Sequence, residues 1–144
     1  MSESCHEAAV AAWVQLVRVE QALLARVEGQ LKAHGFPPLT WYDVLLELSR
    51  APEGRLRPVE LERRLLLPQS NTSRLIDRME REGLVRREAC PSDGRGQWAA
   101  LTEAGRVLRE RMWPVYRDAI GAHVGQKLDR AEAMTLAGLL QRLL

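Results

Sequence analysis

The sequence predicts a mainly helical α+β fold, a single domain with one small β-hairpin. The chain has 144 residues, a length typical of one domain. Leucine, alanine, arginine and glutamate dominate, whereas only two isoleucines and four threonines are present, which favours helix over sheet. Apolar residues recur at helical spacing through most of the chain. Between two such stretches, an Asp-Gly pair lies among Pro, Ser and Gly residues at 91–96, which is typical of a hairpin turn.

A long first helix is predicted over residues 7–34. It ends where Gly35, Pro37 and Pro38 follow. At 1.5 Å per residue it spans about 42 Å, which is long for the core of a domain of this size. We therefore expect part of its apolar face to pack on a partner, although a helix lying over its own domain has the same pattern. The apolar positions on one face are Val10, Val14, Val17, Leu24 and Leu31.

The middle of the chain predicts three short helices and a hairpin. The helices are expected at 41–50, with Thr40 as the N-cap, at 58–65 and at 69–82. Gly83 lies where a C-terminal capping glycine belongs, and the stretch at 51–55 is a turn. The hairpin follows at 84–101. A helix-turn-helix followed by a hairpin is the winged-helix arrangement.

Two further helices complete the prediction. Thr102 is expected to cap a helix at 102–123, with a kink at Pro114 because proline lacks a backbone donor. Asp129 and Glu132 form a capping box for a last helix at 130–143, which is rich in leucine.

Composition excludes several function classes. The two cysteines, Cys5 and Cys90, make a disulfide framework and a four-cysteine zinc site untenable. No uninterrupted apolar run approaches 18 residues, and the N-terminus lacks the basic region of a signal peptide. The nucleotide-binding and hydrolase motifs are absent and the three histidines are far apart. We therefore expect a cytoplasmic protein that is not an enzyme, has no cofactor or metal, and does not bind membranes.

Charge and helix geometry instead indicate that the protein binds a polyanion. Residues 55–95 hold ten basic and seven acidic side chains, whereas residues 1–54 hold four and seven. On a wheel for 69–82, Thr72, Leu75, Ile76 and Met79 share a buried side. Polar residues form the outer face of a recognition helix, where Asn pairs with adenine and Arg with guanine. That face carries Ser70, Arg74, Asp77 and Arg81, and Asn71 and Arg78 flank it.

The hairpin tip offers a second DNA contact. Arg95 follows the Asp93-Gly94 turn, and an arginine on a projecting tip can enter a narrow minor groove. Asp93 lies two residues away and can pair with Arg95. A solvated turn, with Asp and Gly present for backbone geometry alone, explains the same spacing.

Residues 39–105 resemble the multiple-antibiotic-resistance regulator (MarR) family. The resemblance depends on SNTSRLIDRMEREGLV, on the D-x-R pattern at the wing and on LTEAG at 101–105. It implies a winged helix-turn-helix lobe at 39–105, flanked by N- and C-terminal dimerisation helices at 1–36 and 106–144. One departure is the pair of glycines, Gly94 and Gly96, around Arg95, where family wings often carry a second basic residue. The positions that match DNA-contacting residues of the family are Ser70, Asn71, Thr72, Arg74, Arg78, Asp93 and Arg95.

The resemblance further implies a homodimeric repressor of a pseudo-palindromic double-stranded DNA site. In many members a small aromatic or phenolic molecule, bound between the dimer helices and the DNA-binding lobe, releases DNA. Trp13, Trp41 and Tyr42 are the candidate ligand residues here, although aromatic side chains at helical spacing are usually core.

Two alternatives stay open. Cys5 beside His6 could act as a redox-sensing thiol, since an imidazolium lowers a thiol pKa, but a helix beginning near residue 7 leaves Cys5 in a frayed terminus. A winged-helix interaction scaffold that binds no DNA is the other alternative. Such a scaffold should lack the outward arginines Arg74, Arg78 and Arg81.

Overall fold

Six α-helices and a three-stranded antiparallel sheet form the part of the chain that the structure, a computed structural model, describes, residues 1–89 and 96–144. This confirms the mainly helical winged-helix fold. The helices are α1 (Glu3–Ala33), α2 (Leu39–Arg50), α3 (Pro58–Arg64), α4 (Thr72–Arg81), α5 (Glu103–Ile120) and α6 (Arg130–Gln141). The strands are β1 (Arg55–Leu56), β2 (Val85–Ala89) and β3 (Gln97–Leu101).

The sheet has the order β1-β3-β2. The predicted hairpin supplies β2 and β3, in a register that places Glu88 opposite Trp98 and Arg87 opposite Ala99. Strand β1, which pairs Arg55 with Ala100, was predicted as part of a turn. Two residues are too few to show the alternating pattern that identifies a strand in a sequence.

Helices α1 and α2 both begin earlier than predicted. Helix α1 starts at Glu3, so Cys5 lies inside its first turn rather than in a frayed terminus. Helix α2 starts at Leu39, and Thr40 is therefore not its N-cap. The first backbone N–H group of α2 instead finds its hydrogen-bond partner on α1, because Glu28 Oε1 accepts a hydrogen bond of 3.0 Å from the Leu39 amide.

Two hydrophobic clusters hold these elements together. The first lies inside the winged-helix lobe, between α2, α3, α4 and the sheet. The second joins α1 and α5 to the opposite side of α2. Helix α2 therefore connects the lobe to the two long helices. Fully buried members of the first cluster include Leu45, Leu48, Leu61, Ile76 and Met79, and the second is built around Leu31, Tyr42 and Met112.

The LTEAG segment fixes the junction between the sheet and α5. Thr102 is the N-cap, as predicted: its Oγ1 accepts from the Gly105 amide at 3.0 Å and donates to the Gly83 carbonyl at 2.6 Å. A Cβ atom on Gly105 would overlap the backbone carbonyl oxygen of Leu84 and the side chain of Leu101. Position 105 therefore requires glycine.

Helix α5 continues through Pro114 to Ile120 and runs into a π-helical segment, Gly121–Gly125. The capping box predicted for α6 is confirmed. Asp129 Oδ1 accepts from the Glu132 amide at 2.8 Å, and Glu132 Oε1 accepts from the Asp129 amide at 3.1 Å. No residue of α6 itself is buried.

Helix α1 is strongly apolar although it contains no uninterrupted apolar run of 18 residues. An 18-residue window in Glu3–Ala33 with no more than two charged residues has a mean hydropathy of 1.3, and none of that window is buried. By length and composition alone such a helix is long and apolar enough to cross a membrane. The same properties are expected of a helix whose apolar face packs on a partner.

Candidate nucleic-acid interface

Helix α4 has the two faces that the sequence predicts for a recognition helix. Leu75, Ile76 and Met79 are buried in the lobe. The polar side chains of the opposite face line one open groove of about 560 Å³ together with the preceding turn. The lining residues are Gln69, Ser70, Asn71, Arg74, Asp77, Arg78 and Arg81. Three arginines and several amide or hydroxyl groups thus meet on one exposed surface.

Asn71 has a structural role besides the predicted DNA contact. The helix begins at Thr72, not at 69, and Asn71 is its N-cap. Its Oδ1 accepts a hydrogen bond of 3.0 Å from the Arg74 amide, which satisfies one of the unpaired donors of the first turn. A bidentate pairing with adenine uses this same oxygen, so base contact and capping share one atom.

Thr72 lies on the inner side of the helix. It is 5% exposed, and its Oγ1 has no hydrogen-bond partner among the described residues. Its side chain therefore faces the lobe interior rather than the groove. Ser70, Asn71, Arg74 and Arg78 are exposed on the groove side, as expected.

Asp77, the one acidic side chain in the groove, is paired with an arginine of the wing. Arg87, on β2, donates to Asp77 Oδ1 from Nη2 at 2.8 Å and from Nε at 3.1 Å. The same Nη2 also donates to the backbone carbonyl and the hydroxyl of Ser73, at 3.1 and 3.2 Å. The Arg87 amide donates to Glu80 Oε2 at 2.8 Å. These contacts fasten the wing to the recognition helix and offset a negative charge that would repel DNA.

The other side of the sheet carries an aromatic side chain between arginines. The guanidinium carbons of Arg55 and Arg57 lie 4.9 and 5.4 Å from the ring centroid of Trp98, which is cation–π distance. Arg55 also donates to Glu88 Oε2 at 3.3 Å. Arg86 and Arg55 hold the pKa of the Glu88 carboxyl below its ordinary value. Polar contacts therefore hold both faces of the hairpin formed by β2 and β3.

The tip of the wing lies outside the described residues. The predicted contacts of Asp93 and Arg95, and Cys90, fall within 90–95, so they remain predictions from the sequence.

The three aromatic residues predicted to bind a ligand are not brought together in one site. Trp13 is 67% exposed on α1, and Trp41 packs against the core of the lobe. Tyr42 lines a cavity of about 350 Å³ between α2, the turn at 65–71 and α5. Its aromatic neighbour there is Tyr116, whose ring centroid lies 5.1 Å away. Tyr116 was not among the predicted ligand residues, because it lies far along the chain from Tyr42.

Comparison with known proteins identifies the family. A sequence model of the MarR family matches residues 34–96. Sco3205, a MarR family transcriptional regulator from Streptomyces coelicolor crystallised in complex with DNA, has 31% sequence identity and a TM-score of 0.84, over 92% of this chain and 84% of that one. The chain belongs to the MarR family. This agrees with the prediction that it is not an enzyme, because MarR family members are transcriptional regulators.

Two further relatives match the chain over different lengths. AbsC, also a MarR family transcriptional regulator from Streptomyces coelicolor, has 28% identity and a TM-score of 0.84, over 99% of this chain and 93% of that one. The uncharacterized HTH-type transcriptional regulator YkoM of Bacillus subtilis (strain 168) is 33% identical over 85 residues, which is 59% of this chain and 53% of that protein. The match thus spans about half the length of YkoM.

Proposed function

We propose that this MarR family member is a homodimeric repressor that binds a pseudo-palindromic double-stranded DNA site and releases it when a small aromatic or phenolic molecule binds. The observation that carries the DNA-binding part is the groove of α4, in which Arg74, Arg78 and Arg81 lie on one surface and Asp77 is neutralised by Arg87. The DNA complex of Sco3205, with 31% identity over most of this chain, supports the same use of the fold. We place the protein in the cytoplasm, where DNA is accessible.

Arg74 and Arg95 are expected to contribute to DNA binding in different ways. Arg74 lies in the first turn of α4, where side chains reach base edges, so Arg74→Ala should relax base preference at one position by about 1–3 kcal/mol. Arg95→Ala should weaken binding evenly across sequences, because the minor groove carries a degenerate code. The measurement is a titration of both variants against point variants of a site selected from random DNA. Equal affinity of Arg74→Ala and the unmodified protein for every site would refute the assignment of α4.

Exposed apolar side chains support the homodimer. Large apolar residues are exposed on α1 and along α6, and α6 buries no residue against the rest of the chain. Large exposed apolar patches mark interaction sites, and the exposed faces of α1 and α6 together can supply the more than about 2,000 Å² of an obligate interface. The exposed large apolar residues are Val10, Trp13 and Val19 on α1, Met134, Leu136, Leu139 and Leu140 on α6, and Leu143 just after α6.

Sedimentation equilibrium tests the dimer directly. We expect about twice the chain mass of 16.3 kDa at micromolar concentration. A folded monomer would contradict the proposal. Stable binding of the purified chain to lipid vesicles would assign the apolar face of α1 to a membrane instead.

A further inference from the structure

Asn71 is bonded to the backbone of the arginine for which we propose a base contact. Its Oδ1 accepts a hydrogen bond of 3.0 Å from the Arg74 amide, and its carbonyl oxygen accepts one of 3.3 Å from the Leu75 amide. The side chain and the backbone of one exposed residue therefore both close the first turn of α4. Arg74 is the first of the three groove arginines along the helix.

The residue before Arg74 is held from the opposite side. Arg87, on β2, donates from Nη2 to the carbonyl oxygen and the hydroxyl of Ser73, at 3.1 and 3.2 Å. The backbone that carries Arg74 is thus fixed by the cap at Asn71 and by the wing. An arginine reads guanine through two hydrogen bonds of fixed fork geometry, so its base preference depends on where this backbone lies.

The cap also sets the orientation of the Asn71 side-chain amide. Bidentate pairing with adenine places the amide oxygen and nitrogen side by side on the base edge, where the oxygen accepts from N6 and the nitrogen donates to N7. Here the oxygen is turned toward the Arg74 amide. That amide belongs to the first turn, whose N–H groups have no partner within the helix, so turning the oxygen to a base would remove its acceptor. The nitrogen takes no part in the cap and is a donor only.

We infer that Asn71 is a positioning residue that keeps its cap when DNA is bound, so that it directs Arg74 to its base and does not itself read adenine. The inference rests on the proposed function. It replaces the adenine contact expected for an asparagine on a recognition helix with an indirect effect on the base that Arg74 contacts. Base preference at that position should therefore depend on the residue at 71.

Three substitutions separate capping from base contact. Asn71→Ser and Asn71→Asp keep a side-chain oxygen that caps a helix but cannot form the amide pair with adenine, whereas Asn71→Ala loses both. Chemical denaturation at equal protein concentration should show the first two near the stability of the unmodified protein. Asn71→Ala should have a folding equilibrium constant about fivefold lower. Equal stabilities of Asn71→Ala and Asn71→Ser would overturn the capping role.

Base preference is measured by titrating these variants against all single-base variants of a site selected from random DNA. The position read by Arg74 is the one at which Arg74→Ala relaxes the preference. There Asn71→Ala should reduce the ratio between the preferred and the other bases at least about threefold, which is part of the discrimination that a bidentate contact provides. Asn71→Ser and Asn71→Asp should keep that ratio, although Asn71→Asp binds DNA more weakly overall because of its charge.

Two outcomes of this titration would overturn the inference. One is the loss, in all three variants, of an adenine preference at a position other than that of Arg74, which would show that Asn71 reads the base itself. The other is an unchanged ratio in Asn71→Ala, which would restrict the cap to stability.

A double-variant cycle tests whether Asn71 acts through Arg74. In protein that already carries Arg74→Ala, the substitution Asn71→Ala should change base preference no further at any position, because the side chain that it positions is gone. Additive losses of preference from the two substitutions would show that each residue contacts DNA independently, and would overturn the inference.

Thr102→Ala is the matched control because it removes the N-cap of α5, outside the groove. It should lower stability and keep the base preference. If Thr102→Ala reduces the ratio as Asn71→Ala does, general instability explains the effect and the inference is wrong. If no DNA sequence is selected at all, the proposed function fails and the positioning role with it, whereas the denaturation series still decides whether Asn71 caps α4.

Discussion

The contact between Arg87 and Asp77 makes a sharp prediction about DNA affinity. Arg87→Ala removes the two hydrogen bonds to Asp77 and the two to Ser73. The pair is partly exposed, with side-chain exposures of 20% for Arg87 and 47% for Asp77. Because solvent screens such a pair, its coupling should contribute no more than about 1 kcal/mol to folding stability. The larger effect is expected on DNA binding.

The expected loss of DNA affinity follows from the charge left in the groove. An unpaired Asp77 carboxylate about 7 Å from one phosphate in water is repelled by about 0.6 kcal/mol. Several phosphates lie near any recognition helix in the major groove, so we expect a total of about 1–2 kcal/mol, or about 5–30-fold in affinity. The double variant Arg87→Ala/Asp77→Ala, which lacks both charges, should regain most of that affinity without regaining the stability of the intact pair.

The salt dependence of binding separates this explanation from a direct contact. If Arg87 contacts a phosphate itself, Arg87→Ala should lower the slope of log affinity against log salt concentration by about 0.9. If Arg87 instead acts by neutralising Asp77, Arg87→Ala should not lower the slope by that amount. Fluorescence anisotropy titrations over several salt concentrations give both quantities. The reasoning is wrong if the slope falls by about one and the double variant binds no better than Arg87→Ala.

Three other predictions concern stability and assembly. Gly105→Ala should lower the free energy of unfolding by about 3 kcal/mol or more, since its Cβ would overlap the Leu84 carbonyl; chemical denaturation showing a loss below about 1 kcal/mol would contradict this. Leu139→Asp, on the exposed face of α6, should dissociate the proposed dimer in sedimentation without unfolding the lobe, and an undisturbed dimer would contradict this. Burial raises the pKa of Asp43 above its ordinary 3.8, so the folded state holds this proton more tightly, and Asp43 should contribute less stability as pH rises through the window between the two pKa values. The stability of Asp43→Asn relative to the unmodified protein should therefore increase across that window in paired urea titrations and level off above it, whereas a difference independent of pH would contradict the assignment.

The features that sequence reasoning predicted are local ones. The two faces of α4 follow from a helical period that places Leu75, Ile76 and Met79 on one side. The caps at Thr102 and Asp129 use side chains that bond to backbone three residues away. Such patterns lie within a few consecutive residues, so they can be recognised without knowledge of the fold.

The features that it missed join residues that are distant along the chain. Arg87 reaches Asp77 ten residues away only after the hairpin folds against α4, and Tyr116 meets Tyr42 only when α5 packs on α2. Strand β1 exists because Arg55 and Leu56 find partners on β3, more than forty residues later. Neither the pattern around Asp77 nor that around Tyr42 predicts its partner, because tertiary packing selects that partner.

The same long-range contacts determine how the ligand of the proposed function would reach α4. Helix α4 is anchored to the lobe by its buried side chains and to the wing by Arg87. Both anchors hold the middle and the outer side of the helix, and neither touches the cavity beside Tyr42. The turn at 65–71 is different, because Leu66 and Leu67 line that cavity and the turn ends at the N-cap of α4. A ligand in the cavity therefore reaches α4 most directly at its first turn, where Asn71 and Arg74 lie, and should change base recognition before it loosens the rest of the lobe.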